Sequence, residues 1–474
     1  MEGGGQGSDA AVESSLRAPE TLTRTLRTLP SLTPLGLVAG FLIVTMLGLL
    51  AGALTGLSPG LHVNNVAALV LATQAAFAGF LAVLVPDISS EPETMGLLLS
   101  CFLLATAGSH AVFDFIPAVF LGAPTEDTAL ATLPGHRLLL VGQGAKAVAL
   151  AARGALLGSA FAVVALVPLR LLLADPIGLA DRFRPWMPAF LVCVLGAVLA
   201  SEWRGRSRVR RLGRAVWVQA LAAGLGLAVL RGPPLVDPDA ILFPLFSGLF
   251  GIPSLLVGLR ARPGSIPYQR LEPLRALSRE DARSALRGTI AGASVSWLPG
   301  LSGGAAATLA SVGTRKSVGP SQFMVVLGAV STSTALLSVA VLFIIHRARS
   351  GAAAAVRALA GDLSPWPVAW SAPVSLLLLV ASAVLATAIA APVAARVGRG
   401  VARRWSSSNP RRIAAVSLLA VLLLLAAATG PIGIGLAGLS AIVGLVPVAL
   451  RVRRVHLMAS LLVPVLLTYL GAGG

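Results

Sequence analysis

The sequence predicts an all-α polytopic membrane protein of about 10 to 12 transmembrane helices, with two re-entrant hairpins broken at Pro-Gly pairs and set in an inverted repeat. Three observations carry this expectation. The chain of 474 residues is 56% hydrophobic and only 12% charged, and its mean hydropathy of +0.86 lies outside the range of soluble domains. Its apolar residues form long unbroken runs, unlike the short alternating segments of a membrane β-barrel. Two of those runs, at an offset of 240 residues, are interrupted in the same way.

Residues 1–33 read as a polar tail without the apolar core and cleavage site of a secretory signal. Apolar runs follow at 34–57, 63–86, 95–123, 154–174, 186–201, 215–230 and 240–258. After a charged linker, 260–287, come 288–312, 323–345, 366–395, 413–430, 431–450 and 456–471. The formal charge of +18 resides in arginines between these runs, where it marks topology and gives no sign of nucleic-acid binding. The block from Arg204 to Arg214, the linker, the stretch 396–412 and Arg451, Arg453 and Arg454 belong on the cytoplasmic side by that rule. The acidic stretch from Asp87 to Glu93 suits the outer face. Cys101 and Cys193 both lie inside apolar runs, so neither a disulfide framework nor a thiolate metal site is expected.

Five crossings separate the acidic loop from the linker, and five more follow residue 316 with the opposite sense. That count makes 34–259 and 288–474 two halves of an inverted repeat in a multi-pass protein of the cell membrane. The 240-residue offset lays Ala51-Gly52-Ala53 on Ala291-Gly292-Ala293 and Pro59-Gly60-Leu61 on Pro299-Gly300-Leu301 without a gap. Proline removes a backbone donor and glycine permits non-helical angles, so each helix should break there. A break within lipid must face protein or a wet cavity, where helix ends offer N–H groups to anions and carbonyls to cations. The plain alternative is that Pro59 and Pro299 only kink packed helices.

The candidate substrate-binding residues therefore flank the two breaks: Ser58, Pro59, Gly60, His62, Asn64 and Asn65 in the first, and Pro299, Gly300, Ser302, Gly303 and Gly304 in the second. His110 and Asp114 stand four residues apart on one helical face of an apolar run. With Asn64 they are the candidates for ion or proton coupling, against the alternative that Asp114 pins His110 near the interface. Ser331-Thr332-Ser333-Thr334 holds a similar place in the second half without charge. Leu133-Pro134-Gly135-His136 reads as a turn. Gly433, Gly435 and Gly438 fit the letters of a dinucleotide fingerprint but lie in an apolar run with no strand before them, which suggests close helix packing. No nucleophile elbow or zinc motif is present, so neither an enzyme nor a cofactor or metal is expected.

The stretch Gly56-Leu57-Ser58-Pro59-Gly60-Leu61-His62-Val63-Asn64-Asn65 resembles the large permease subunit of the tripartite tricarboxylate transporter (TctA) family, particularly its archaeal-type branch. Phe115-Ile116-Pro117 through Pro124, Leu133 to His136, Gly142 to Ala147, Phe243 to Phe250 and the second Pro-Gly segment are similar to later blocks of that family. The resemblance covers most of residues 34–470. It implies a secondary transporter permease that moves a small carboxylate or other organic anion with a sodium ion or proton gradient. It also implies a periplasmic binding protein and a small membrane subunit as partners. His62 to Asn65 depart from the small, hydroxyl-rich continuation of bacterial permeases, which leaves the anion open. Few basic residues lie in the membrane runs to meet it, Arg153 being one candidate. Two rivals remain at this point: a lipid-phosphate (polyprenyl phosphate) translocase, and an intramembrane enzyme using His110 and Asp114.

Overall fold

Every regular element among the described residues is a helix. The computed structural model describes residues 34–58, 63–84, 92–120, 132–200, 202–203, 207–236, 238, 240–260, 267–271, 275–298, 306, 319–348, 350–361, 363–404 and 410–471. Among them, nine helices are long and apolar enough to cross a membrane. Five of the nine fall between the acidic loop and the linker: Pro92–Phe120, Gly144–Leu173, Leu179–Ala200, Arg208–Leu230 and Leu242–Arg260. Three follow residue 316 where five crossings are expected, Pro320–Ile345, Val374–Arg404 and Ala414–Leu450, because the last is two rods joined at Gly430 and Arg454–Tyr469 is shorter than a span.

The inner part of the molecule is built from α1 (Pro34–Leu57), α2 (Val63–Ala72), α3 (Gln74–Leu84), α4 (Pro92–Phe113), α5 (Phe115–Phe120), α6 (Thr132–Leu140) and α7 (Gly144–Leu173). A peripheral bundle begins with α8 (Met187–Ala200), α9 (Arg208–Leu230) and α10 (Leu242–Arg260), the last with a π turn at Ser247–Gly251. The chain returns to the inner part with α11 (Arg279–Ser296), α12 (Pro320–Ile345), α13 (Gly351–Ala360) and α14 (Val374–Arg404). It finishes the periphery with α15 (Pro410–Leu450) and α16 (Ala459–Tyr469).

Packing of the inner helices is reciprocal. α1 lies along α4 while α11 lies along α12; α14 packs on α4 and α1, and α7 packs on α12 and α11. α13 covers α4 as α6 covers α12, and α7 and α14 touch each other. Helices from the two parts of the sequence thus interleave around two large apolar clusters, one centred on Leu99, Leu103 and Phe343, the other on Val148, Ala151 and Val325. Peripheral helices share smaller clusters of their own, such as Ala222, Leu245 and Leu457. α2 touches α4 and α13 on one side and α10 and α15 on the other, bridging inner part and periphery.

Four local features depart from or refine the reading of the sequence. Leu133 to His136 form a first helical turn, because proline near a helix start forfeits only an N–H that has no partner anyway. α11 begins at Arg279, nine residues before the expected run, because Ser278 and Asp281 form a reciprocal capping box. α14 continues through the arginines to Arg404, whose long side chains let a helix carry charge past its apolar run. α15 is two rods joined at Gly430, which takes φ 64° and ψ −165°. Beyond that joint, Gly435 and Gly438 lie at no close helix contact among the described residues, where a methyl group at either would meet open space.

Candidate functional site

Gly48, Gly52 and Gly56 repeat every four residues, so they form one stripe along α1 and let its backbone approach α4 closely. A methyl group at Gly48 would lie 2.4 Å from the Phe102 carbonyl oxygen, and one at Gly52 would lie 2.4 Å from that of Thr106. At Gly56 the neighbours are Phe113 Cβ at 2.8 Å, Asp114 N at 3.0 Å and His110 O at 3.0 Å. The last turn of α1 before Pro59 therefore lies directly on the turn that carries His110 and Asp114.

That proximity puts polar groups within reach of each other. Ser109 Oγ donates to the Leu49 carbonyl at 2.8 Å. Thr55 Oγ1 donates to Ala51 O at 2.9 Å and lies 3.1 Å from His110 Nδ1. Asp114 sits between α4 and α5, with its amide donating to His110 O at 2.9 Å and its carbonyl accepting from Ala118. Both His110 and Asp114 are buried, each at 4% exposure, inside the span Pro92–Phe120.

α1 stops at Leu57, Ser58 is half-buried in a bend, and α2 starts at Val63, which packs against Ala107 of α4 and Ala352 of α13. The two described edges of the first interruption thus both contact α4. Asn64 and Asn65 lie on the first turn of α2, and their side chains are outside the described residues. Pro59, Gly60 and His62 are outside them too, as are Pro299, Gly300, Ser302, Gly303 and Gly304.

In the second part, α11 ends at Ser296, three residues before Pro299. Its stripe meets α12 in the same register. Gly48 faces Phe102 O, Ala105 Cβ and Thr106 N, and Gly288 faces Val326 O, Ala329 Cβ and Val330 N, each partner 224 residues further on (102 to 326, 105 to 329, 106 to 330). Gly52 faces Ser109 Cβ and His110 N, and Gly292 faces Ser333 Oγ and Thr334 N, the same step again. Ser333 and Thr334 therefore occupy the positions of Ser109 and His110. The buried Thr332 Oγ1 and Thr334 Oγ1 have no hydrogen-bond partner among the described residues.

Arg153 is engaged by Asp281 and the Arg275 carbonyl. Its Nη1 donates to Asp281 Oδ2 at 2.8 Å and its Nη2 to Arg275 O at 2.6 Å. Asp281 is fully buried and also accepts from Arg275 at 3.3 Å, Gln322 at 3.1 Å and the Ser278 amide at 3.2 Å, so it ties α7, α11 and α12 together. Burial raises the Asp281 carboxyl, but hydrogen bonds from Gln322, Ser278 and Arg153 outweigh it and hold the group below the usual carboxylate range. Thr55 and Asp281 were not among the residues singled out from the sequence. The Ser278-x-x-Asp281 spacing would have found the second as a cap, whereas only the approach of α1 to α4 marks the first.

The described residues contain no group of three or more His, Cys, Asp or Glu placed to hold a metal ion. Among known proteins, the chain is 27% identical over 334 residues to "Uncharacterized protein MJ1079" of Methanocaldococcus jannaschii, an alignment covering 68% of this chain and 74% of that protein. No solved structure matches it. A family model does match, over residues 42–459, which spans both glycine stripes, both Pro-Gly segments and the His110–Asp114 turn. This multi-pass membrane protein belongs to the tripartite tricarboxylate transporter TctA family and is a transporter permease component.

Proposed function

We propose that the chain is the permease of a secondary active carrier that moves a small carboxylate, or another small organic anion, with a sodium or proton gradient. The observation supporting this best is the repeated register, in which α1 meets α4 and α11 meets α12 through matching atoms, each first helix stopping just short of a Pro-Gly pair. Two copies of one unit, 34–259 and 288–474, facing opposite ways across the linker 260–287, would bring residues 59–62 and 299–304 to a shared site. Half-helix N-termini there offer N–H groups and a positive dipole end to a carboxylate. Ser58, His62, Asn64, Asn65 and Ser302 add polar ligands, while Gly60, Gly300, Gly303 and Gly304 let backbone approach the solute.

His110 and Asp114, beneath the last turn of α1, carry the coupling charge in this reading. A charge that appears or disappears there changes how firmly the end of α1, at the edge of the first break, seats on α4. The family name supports a periplasmic binding protein and a small membrane subunit as the remaining parts of the system. Proteoliposomes holding the purified chain test this with a panel of radiolabelled mono-, di- and tricarboxylates under imposed sodium and proton gradients. Accumulation of at least one carboxylate that disappears when both gradients are collapsed is expected. Uptake that survives the collapse overturns coupling.

A further inference from the structure

We infer that Thr55 fixes the tautomer of His110, so that the coupling proton is carried on Nε2. The inference rests on the carrier reading above and names its ion. A threonine hydroxyl has one proton, and Thr55 spends it on the helical back-bond to Ala51 O at 2.9 Å, with Gly52 O at 3.3 Å as a second acceptor. The hydroxyl then faces His110 Nδ1, 3.1 Å away, with a lone pair only. Nδ1 must therefore carry the N–H, and in the neutral ring the lone pair is on Nε2. One proton added there converts imidazole to imidazolium without disturbing the bond to Thr55.

The charged surroundings make this ring the responsive group. Among the described residues, α1, α2, α5 and α12 contain no titratable side chain. On α4 itself Glu93 and Cys101 stand more than two turns away, and Asp114 lies one turn on. α13 carries Arg357, which is exposed and bonded to His346 O. On α14, Arg396, Arg399, Arg403 and Arg404 all come more than two turns after Thr387, the residue against Gly108. On α7, Lys146 reaches Gln143, Arg153 is held by Asp281, and Arg170 by the carbonyls of Trp366, Pro367 and Asp175. Asp114 is thus the ionisable neighbour on the same face. The second copy lacks both members of the pair: the 240 step puts Val295 where Thr55 stands and the 224 step puts Thr334 where His110 stands. Hydroxyl and ring are absent there together, as expected if one serves the other.

Solid-state NMR of the full chain in bilayers, with 15N-labelled histidine, reads the tautomer without any substrate. The His110 signals are identified by their loss in H110Q, and independently by dipolar contact with 13C-labelled threonine. We expect a protonated Nδ1 and a bare Nε2 at high pH, with Nε2 gaining the proton on acidification, in wild type and T55S alike. T55V should populate the other tautomer. It should also shift the pH midpoint of gradient-driven carboxylate uptake, because the ring loses the hydrogen bond it makes to Thr55, with T55S unmoved. A wild-type ring protonated on Nε2 alone, or an unmoved T55V midpoint, overturns the inference. The predicted tautomer with no gradient-driven uptake overturns the carrier reading instead.

Discussion

Gly52 and Gly435 are the same residue type in helices of the same membrane protein, yet they should respond oppositely to one added methyl. At Gly52 it would lie 2.4 Å from a backbone oxygen of α4, which cannot move aside cheaply. Gly52→Ala should cost about 1–3 kcal/mol, and Gly288→Ala, whose methyl meets the Val326 carbonyl oxygen at 2.6 Å, should cost a comparable amount. Gly435→Ala should be neutral or stabilising by up to about 1 kcal/mol, because its neighbourhood is open and alanine favours helix. Thermal unfolding in one detergent separates the three. Asp281 gives a pH prediction with a definite sign. Its folded carboxyl lies below the usual range, so its contribution is present above the unfolded carboxylate value and is lost as pH falls through the folded one. The melting temperature of wild type should drop through that acid window, while D281N, lower at neutral pH, should drop less. D281A leaves the half-buried Arg153 and the amide of Gln322 without their carboxylate acceptor and should cost about 1–3 kcal/mol. The sequence exposed the glycine stripe only as an Ala-Gly-Ala match, and it exposed His110 and Asp114 as polar residues in an apolar run. The contact between His110 and Thr55 is not legible there because it depends on how near two helices approach, which local patterning does not encode.

Helix ends were legible where chemistry is local. Pro59 and Pro299 mark the stops of α1 and α11 to within three residues, and the joint between two apolar runs at 430 is the observed bend. Where tertiary context or a cap decides, local pattern is a poorer guide: Pro134, in a stretch patterned like a turn, sits in a first helical turn, and the capping box moves the start of α11 into the linker. The joint at Gly430 is testable. With φ at 64° and ψ at −165°, its backbone is open to glycine and costly for any residue with a side chain. Gly430→Ala should therefore destabilise the chain by about 1–3 kcal/mol, seen as a lower melting temperature, and should alter protease access at the bend. An unchanged melting curve would mean that the two rods of α15 can be joined another way.

At the scale of the whole molecule, composition and run length were enough for the fold class, since lipid forces every spanning backbone into helices. The interleaving of the inner helices was not readable, because apolar stripes do not name their partners. The register match between the two glycine stripes supports a duplication, and the carrier mechanism requires in addition that its copies face opposite ways. Single cysteines at Ser90, before α4, and Ser317, before α12, in a chain with Cys101 and Cys193 replaced, report that relation through a membrane-impermeant maleimide applied to sealed, right-side-out vesicles. Labelling of the first from outside and of the second only after permeabilisation is the predicted result. Labelling of both from the same side would contradict the account.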